Sequence, residues 1–413
     1  MSSGEAGADE YGRNSHVHTS VLLIVAVLSA TWFVLSVYRI SFSVALPDVL
    51  EVTSVTYTGV SFLFGALFVG YALSQFPAGV VADRVGVKTV LAASALVASV
   101  ALASVSVAVN YAHVFVALFL IGAGIGSFRS VSQIAVSTYV PARFEGRALG
   151  VLTAAEPFSY VVGPVTVALL IETYSVYTAP LVLALAPVPF VALIYSRRPL
   201  SVSANTSGID APSFRQASTT LRTSLSRTDT LLLLGLGTSF SATTNALVAI
   251  LPWYLVETTS LSLTYGNLYA GGIFAVGAIA ALLGGAFRDR VGAFPVLLVG
   301  FGTAAFTLAL LVSVSAVSHL LAALALFSLG LNTILPARDR VINAHARACS
   351  GTHTGAMIGG LRSLCYLGGG LGAVVAGLTF ASFGLTAGFG LLIAYLLSGG
   401  LCSAALWKTG GGG

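Results

Sequence analysis

Twelve long apolar runs, separated by short polar connections, dominate this sequence. The 413 residues are 56% hydrophobic and only 8% charged, whereas a soluble globular domain carries about 25% charged residues. A water-exposed surface cannot be built from such a chain, but a lipid-exposed surface can. The runs, numbered here as spans 1 to 12, cover residues 19–43, 57–80, 87–109, 113–138, 147–171, 177–196, 229–254, 264–286, 293–316, 319–342, 354–381 and 384–407.

Each span is long enough to cross the hydrocarbon core of a bilayer as a helix, which takes roughly 20 residues for about 30 Å. Inside lipid, backbone groups find no water to bond, so a spanning segment must satisfy them within the protein. A helix does this within one segment, whereas an open strand does not. The sequence therefore predicts an all-α membrane protein with twelve transmembrane helices.

A charged turn occurs once in each half of the chain. Residues 79–88, GVVADRVGVK, follow span 2, and residues 285–292, GAFRDRVG, follow span 8 at an offset of 206. This repeat predicts two pseudo-symmetric six-helix bundles at 19–196 and 229–407. We expect a cytoplasmic linker between the bundles and a tail at each end. The linker and tails cover residues 197–228, 1–18 and 408–413.

The basic residues follow this topology. Lys and Arg side chains lie in alternate connections, while the other connections, such as 44–56, 172–176 and 255–263, contain none. By the positive-inside rule both termini are cytoplasmic, and we expect a multi-pass protein of the plasma membrane. The net charge of +5 does not indicate nucleic-acid binding, because no basic stripe with interleaved aromatic residues is present.

These features together resemble the major facilitator superfamily over residues 19–407. The resemblance rests on two halves of six spans, a long central connection, the repeated charged turn, and the junction of Arg143 and Arg147 entering span 5. Residues 38–47, YRISFSVALP, and 70–79, GYALSQFPAG, are similar to the first two spans of organic-anion and sugar-phosphate porters. The resemblance implies a secondary transporter whose bundles alternate access to a site near the bilayer midplane.

The resemblance also implies a role for the charged turns. They are expected to latch the halves together when the cytoplasmic side is closed, with Asp83 near the N-terminus of span 11, where the helix dipole favours negative charge. The second turn has Phe294 where the first has Lys88, so its latch should be weaker. The predicted latch residues are Gly79, Asp83, Arg84, Gly86, Lys88, Gly285, Asp289, Arg290 and Gly292.

Three arginines inside spans are candidates for a binding site, because charged side chains there are expensive and usually functional. Arg39, Arg129 and Arg338 lie in spans 1, 4 and 10, and the resemblance places spans 1, 4, 7 and 10 around the central cavity. Guanidinium groups bind carboxylates and phosphates through paired hydrogen bonds, so these arginines indicate an anionic substrate. The alternative is structural. Arg129 would then pair with a buried acid, Arg338 with Asp339 or the cytoplasmic surface, and Arg39 would extend outward.

Polar side chains in the same spans are candidates for orienting the substrate. Gln133 and Asn245 are the two amides among them. The other candidates are the hydroxyls of Ser41, Thr243 and Thr244, with Tyr38 and Trp253 as walls. The alternative is that the hydroxyls bond their own helix backbone, as mid-span hydroxyls more often do.

Glu156 in span 5 is the carboxylate that lies most clearly within the membrane. Burial favours the neutral form of a carboxyl group, whereas a nearby arginine favours the charged form. That competition suits a proton-coupling site. Glu156 could equally be the permanent ion-pair partner of Arg129.

These observations favour a monomeric secondary active transporter that takes up a small organic anion together with protons across a lipid bilayer. One alternative is a proton-driven exporter of drugs or lipophilic cations that uses Glu156 to bind the cation. Another is a membrane sensor that transports nothing. We expect no enzyme, cofactor or metal, because the sequence contains no HExxH motif, phosphate-binding lysine loop or serine-nucleophile elbow.

Overall fold

The structure, a computed structural model, describes residues 3–44, 57–196, 219, 221–259, 263–311, 317–350 and 354–410. All regular secondary structure in these residues is helical. The first half contains the helices Ser3–Val44, Tyr57–Val85, Val87–Val105, Tyr111–Tyr139, Ala142–Thr173, Ala179–Leu185 and Val188–Ser196. The second half contains Thr228–Thr259, Leu263–Val291, Ala293–Leu311, Val317–Ser350 and Thr354–Lys408.

These helices account for all twelve spans. Within the described residues, 10 helices are long and apolar enough to cross a membrane. The last of them, Thr354–Lys408, holds spans 11 and 12, because Gly384 interrupts it with φ 81° and ψ −178°. Span 6 is the shorter apolar stretch Ala179–Ile194. The prediction of an all-α membrane fold is confirmed.

Span 6 is broken at Pro187, and Tyr38 of span 1 packs against the break. Because proline has no N–H, the carbonyl of Leu183 lacks its usual partner four residues on. The Tyr38 hydroxyl lies 3.2 Å from the carbonyl oxygen of Leu183, 3.3 Å from that of Ala184 and 3.1 Å from the Ser99 hydroxyl. Tyr38 therefore stabilises the broken helix. Its predicted place on the wall of the substrate cavity is wrong.

Each half has its own apolar core, made of buried residues between 24 and 194 in the first half and mainly between 233 and 406 in the second. Close helix contacts at glycines hold the first core together. A Cβ atom on Gly122 or Gly126 of span 4 would collide with the backbone of Leu67 or Tyr71 in span 2. The glycine-rich segment of span 4 is therefore a packing surface.

The two halves meet through spans 2 and 11 and through spans 5 and 8. Gly65 of span 2 lies against Val374 of span 11. The rings of Tyr160 in span 5 and Phe274 in span 8 are 5.1 Å apart. These contacts lie toward the ends of the spans that are opposite the charged turns.

The two charged turns share one backbone geometry. Gly86 has φ 90° and Gly292 has φ 91°, which are values that L-residues with a side chain rarely adopt. The N–H of each glycine donates to the carbonyl oxygen four residues earlier at 2.9 Å. The side chains of Asp83 and Asp289 lie outside the described part of the chain, so the latch stays a prediction.

Candidate functional site

A cavity lies between the two halves, and the four pseudo-equivalent spans of each half line it. It encloses about 890 Å³ of space free of atoms, including the part open to solvent. From the first half its lining comprises Arg39, Tyr71, Gln75, Arg129, Gln133, Thr153, Glu156, Pro157 and Tyr160. From the second half it comprises Phe240, Ser241, Thr244, Asn245, Phe274, Asn332, Leu335, Arg338, Asp339, Arg362 and Tyr366.

Arg39 and Glu156 form an ion pair on one wall of this cavity. The Arg39 Nη2 atom donates to Glu156 Oε1 at 2.9 Å, with side-chain exposures of 5% and 17%. The hydroxyl of Tyr160 donates to the same oxygen at 3.0 Å, and its ring lies 5.1 Å from the Arg39 guanidinium. Glu156 is thus paired with Arg39. The alternative that named Arg129 as its partner is wrong, and Arg39 does not extend outward.

A second charged cluster lies on span 10 and span 11. Arg338 donates to Oδ1 of Asp339 through Nε at 3.1 Å and Nη2 at 2.8 Å. Arg362 Nη2 lies 3.3 Å from Oδ2 of the same carboxylate. Two guanidinium groups therefore share one aspartate.

Arg362 also connects the halves. Its Nη1 atom donates to Gln133 Oε1 of span 4 at 3.2 Å. Neither Arg362 nor the intramembrane place of Asp339 was among the site residues predicted from the sequence. The signal in the sequence was that Arg362 lies inside the apolar span 11. Arg39, Arg129 and Arg338 carry the same signal in their own spans.

Arg129 is the cavity arginine without an acid at its side. Its guanidinium carbon lies 4.9 Å from the ring centroid of Trp32 in span 1, which is a cation–π distance. Its Nη1 atom is buried and has no hydrogen-bond partner among the described residues. None of the ion pairs in the described part of the chain includes Arg129. Its charge therefore faces the cavity without a salt bridge, and Asp339 is the carboxylate within electrostatic reach of it.

The predicted polar residues divide into two groups. The hydroxyls of Ser41, Thr243 and Thr244 bond the carbonyl oxygen four residues earlier in their own helix at 2.9–3.0 Å, as the backbone alternative predicts. Asn245 is 3% exposed, and its Nδ2 atom has no partner within the described residues. The side chain of Trp253 lies outside them. In the described region, no group of three or more His, Cys, Asp or Glu could hold a metal ion.

The fold and the cavity agree with a comparison to known families. The sequence profile of the Major Facilitator Superfamily matches residues 21–336. The chain belongs to this superfamily. Its multi-pass membrane fold and its superfamily agree with what the sequence predicts.

Two known transporters match part of this superfamily member. The niacin transporter NiaP of Acinetobacter baylyi is 31% identical over 135 residues, which are 33% of this chain and 30% of the relative. The hexuronate transporter of Bacillus subtilis is 25% identical over 128 residues, which are 31% of this chain and 30% of the relative. The matched stretches therefore span less than a third of each relative's length.

Solved structures of major facilitator transporters share the fold. A bacterial homologue of the human lysosomal transporter Spinster, in an inward-facing and unoccupied conformation, has a TM-score of 0.74 at 14% identity and covers 94% of this chain and 98% of its own. The D-xylose–proton symporter has a TM-score of 0.74 at 15% identity, over 94% of this chain and 97% of its own. Identities this low establish the architecture alone.

Proposed function

We propose that this chain takes up a small organic anion together with protons by alternating access. The observation that carries the proposal is Arg129, whose guanidinium lines the central cavity with a buried, unpartnered Nη1 and no carboxylate at its side. A buried N–H group without a hydrogen-bond partner is costly. An anionic substrate supplies the partner, through charge-assisted hydrogen bonds to the guanidinium edge.

The partial relatives support an organic acid as the substrate. Their names describe a niacin transporter and a hexuronate transporter, and both compounds carry a carboxylate at neutral pH. A lipophilic cation fits this cavity less well, because the four arginines of its lining repel positive charge.

The ion pair of Arg39 and Glu156 supplies a route for proton coupling. While Glu156 is ionised, it occupies Arg39 at 2.9 Å. A proton on Glu156 removes the negative charge and leaves the guanidinium available to a second anion. Proton binding and anion binding then favour each other, and by linkage each raises the affinity for the other equally.

The two bundles are the parts that move relative to each other during transport. The substrate lies where spans of both bundles converge, so rocking of one bundle against the other exposes it to one side at a time. The contacts of spans 2 with 11 and of 5 with 8 close the side opposite the charged turns. We assign that side to the exterior and both termini, with the 197–228 linker, to the cytoplasm.

Uptake into sealed proteoliposomes tests the proposal. A pH gradient, acidic outside, should drive accumulation of a labelled carboxylate, and Glu156→Gln should abolish that drive while anion exchange at equal pH persists. Glu172→Gln is the matched control, since Glu172 is an exposed acid at the far end of the same helix. Gradient-driven uptake that is unchanged in Glu156→Gln contradicts the coupling role, and transport of lipophilic cations without anions contradicts the substrate class.

A further inference from the structure

The cavity lining carries more positive charge than one carboxylate can balance. Four arginines and two carboxylates lie among its residues, so the lining has a net charge of +2 when both acids are ionised. The pair of Arg39 and Glu156 is neutral as a unit. The excess therefore lies on the three remaining guanidinium groups, which share Asp339 as their one acid within the described lining.

Unpartnered hydrogen-bond donors point to the same excess. Buried polar groups in native proteins nearly always have a partner, yet six buried polar atoms of this lining find none in the described protein. Two of them are the hydroxyls of Tyr71 and Ser241, which can donate or accept. The other four are Arg39 Nε, Arg129 Nη1, Arg362 Nε and Asn245 Nδ2. Two come from each half, and each is an N–H group that only donates. A single carboxylate has enough lone pairs for four donors, but both of its oxygens lie on one carbon atom. Because the donors are divided between the two halves, a ligand with two separate acceptor groups suits them better.

Two of these donors are held close together across the interface. Gln133 follows Arg129 by one helical turn, and residues at this spacing lie roughly 5–6 Å apart on one helix face. Gln133 accepts a hydrogen bond from Arg362 at 3.2 Å. Arg129 and Arg362 are therefore neighbours that belong to opposite halves, and one small molecule can reach both.

We infer that the substrate carries two negative charges, as a dicarboxylate or a phosphate monoester. This inference rests on the proposed function and specifies the anion that the cavity takes. One anionic group binds Arg129, whose other face is covered by Trp32. The second binds Arg362 and Asn245 in the other half.

Charge balance during transport favours the same substrate. With a proton on Glu156, the four arginines and Asp339 leave the lining at +3. A singly charged substrate lowers this to +2, while a doubly charged one lowers it to +1. Because uncompensated charge becomes more costly as water leaves the closing cavity, the doubly charged substrate assists closure more.

Paired ligands that differ by one charge test the inference on the purified, unmodified transporter. Calorimetry would compare succinate and glutarate with their monoamides, and glycerol 3-phosphate with its methyl ester. We expect a dianion of one chemical class to bind and its singly charged partner to bind at least about tenfold more weakly, as loss of one charged hydrogen-bonding group predicts. Whether the dicarboxylate or the phosphate pair responds identifies the source of the two charges.

Variants locate the two subsites. Arg129→Gln should lower the affinity for the dianion to near that of its monoamide, whereas Arg222→Gln, at an exposed arginine outside the cavity, should change neither. If Arg129→Gln does not fold, the ligand pairs decide by themselves. Equal affinity within every pair, or binding of monoanions alone, overturns the inference and leaves anion transport intact. Failure of every anion to bind overturns the proposed function as well.

Discussion

Arg129 and Arg338 occupy equivalent places in the two halves, 209 residues apart, and each lies over an aromatic ring of the first span of its own half. The guanidinium of Arg129 is 4.9 Å from the ring centroid of Trp32, and that of Arg338 is 4.5 Å from Phe240. The two rings are 208 residues apart. The internal repeat therefore extends to the pairing of an arginine with its supporting ring.

The next position breaks this symmetry. Asp339 follows Arg338 and bonds it twice, whereas Ser130 stands at the equivalent place after Arg129. Of the two equivalent arginines, Arg338 is thus neutralised by the next residue, whereas Arg129 has no acid next to it in the sequence. This difference supports the proposal that Arg129 binds the anion, and it favours a structural role for Arg338.

The first prediction follows from that difference. Arg129→Lys keeps the positive charge but loses the planar fork and its stacking on Trp32. Because a hydrogen bond to a charged group contributes roughly 1.5–3 kcal/mol, substrate affinity should fall about tenfold to a hundredfold, with little change in thermal stability. Calorimetric titration alongside Arg222→Lys, a change at an exposed arginine, checks this. Unchanged affinity would mean that Arg129 does not contact substrate.

Much of the fold could be predicted from the sequence because hydropathy and the repeat constrain it strongly. The interruption between spans 11 and 12 was expected at 382–383, and the backbone breaks at Gly384. The sequence predicts span 6 as one helix and does not predict its break at Pro187. Hydropathy depends on side chains, so it carries no information about the backbone N–H that proline lacks. Apolar composition locates the helices whatever their internal breaks.

The charged contacts could not be predicted, because these spans are apolar on nearly every face. Their sequences therefore do not reveal how each helix is rotated about its axis. The ion-pair partner of Glu156 depends on that rotation. The sequence offered Arg129 as a possible partner, whereas in the structure the partner is Arg39. Arg362 was overlooked for a related reason, since an arginine near the cytoplasmic end of a span usually reaches the membrane surface.

The second prediction concerns the ion pair of Arg39 and Glu156. Arg39→Gln leaves a buried carboxylate without its partner, which costs about 3–5 kcal/mol while the acid stays charged. Replacing Glu156 as well removes the unpaired charge and its penalty. The double change Arg39→Gln with Glu156→Gln should be more stable at neutral pH than Arg39→Gln alone. Thermal unfolding of the single and double variants measures this, and a double variant no more stable than Arg39→Gln contradicts the account.

The third prediction tests the backbone of the charged turns. Gly86→Ala and Gly292→Ala force a Cβ atom into φ values near 90°, a sparsely populated backbone region for residues with a side chain that costs roughly 1–3 kcal/mol. Gly302→Ala is the matched control, because that glycine is helical and has nothing within 4 Å of an added Cβ. Thermal unfolding should show a loss for the two turn variants and none for the control. Equal behaviour of all three excludes backbone strain.

The fourth prediction separates Tyr38 from the substrate site. Tyr38→Phe removes the hydroxyl that lies against the carbonyls of Leu183 and Ala184 at the broken span 6. The Leu183 carbonyl still accepts from the Ala186 N–H at 3.1 Å, so the change removes a hydrogen bond that contributes about 0.5–1.5 kcal/mol. The melting temperature should therefore fall slightly while substrate affinity is unchanged. Tyr177→Phe, at an exposed tyrosine, should alter neither. A loss of affinity without a loss of stability would return Tyr38 to the cavity wall.

The last prediction concerns the latch and rests on the difference between the two charged turns. The first turn carries Lys88, whereas Phe294 stands at the corresponding place after the second. A contact of Asp83 with the N-terminus of span 11 is also expected only in the first. Asp83→Asn should therefore lower the transport rate more than it lowers expression, and more than the matched change Asp289→Asn does. Initial uptake rates normalised to the amount of folded protein measure this. Equal losses in both variants, or full activity of Asp83→Asn, would remove the latch role from the first turn.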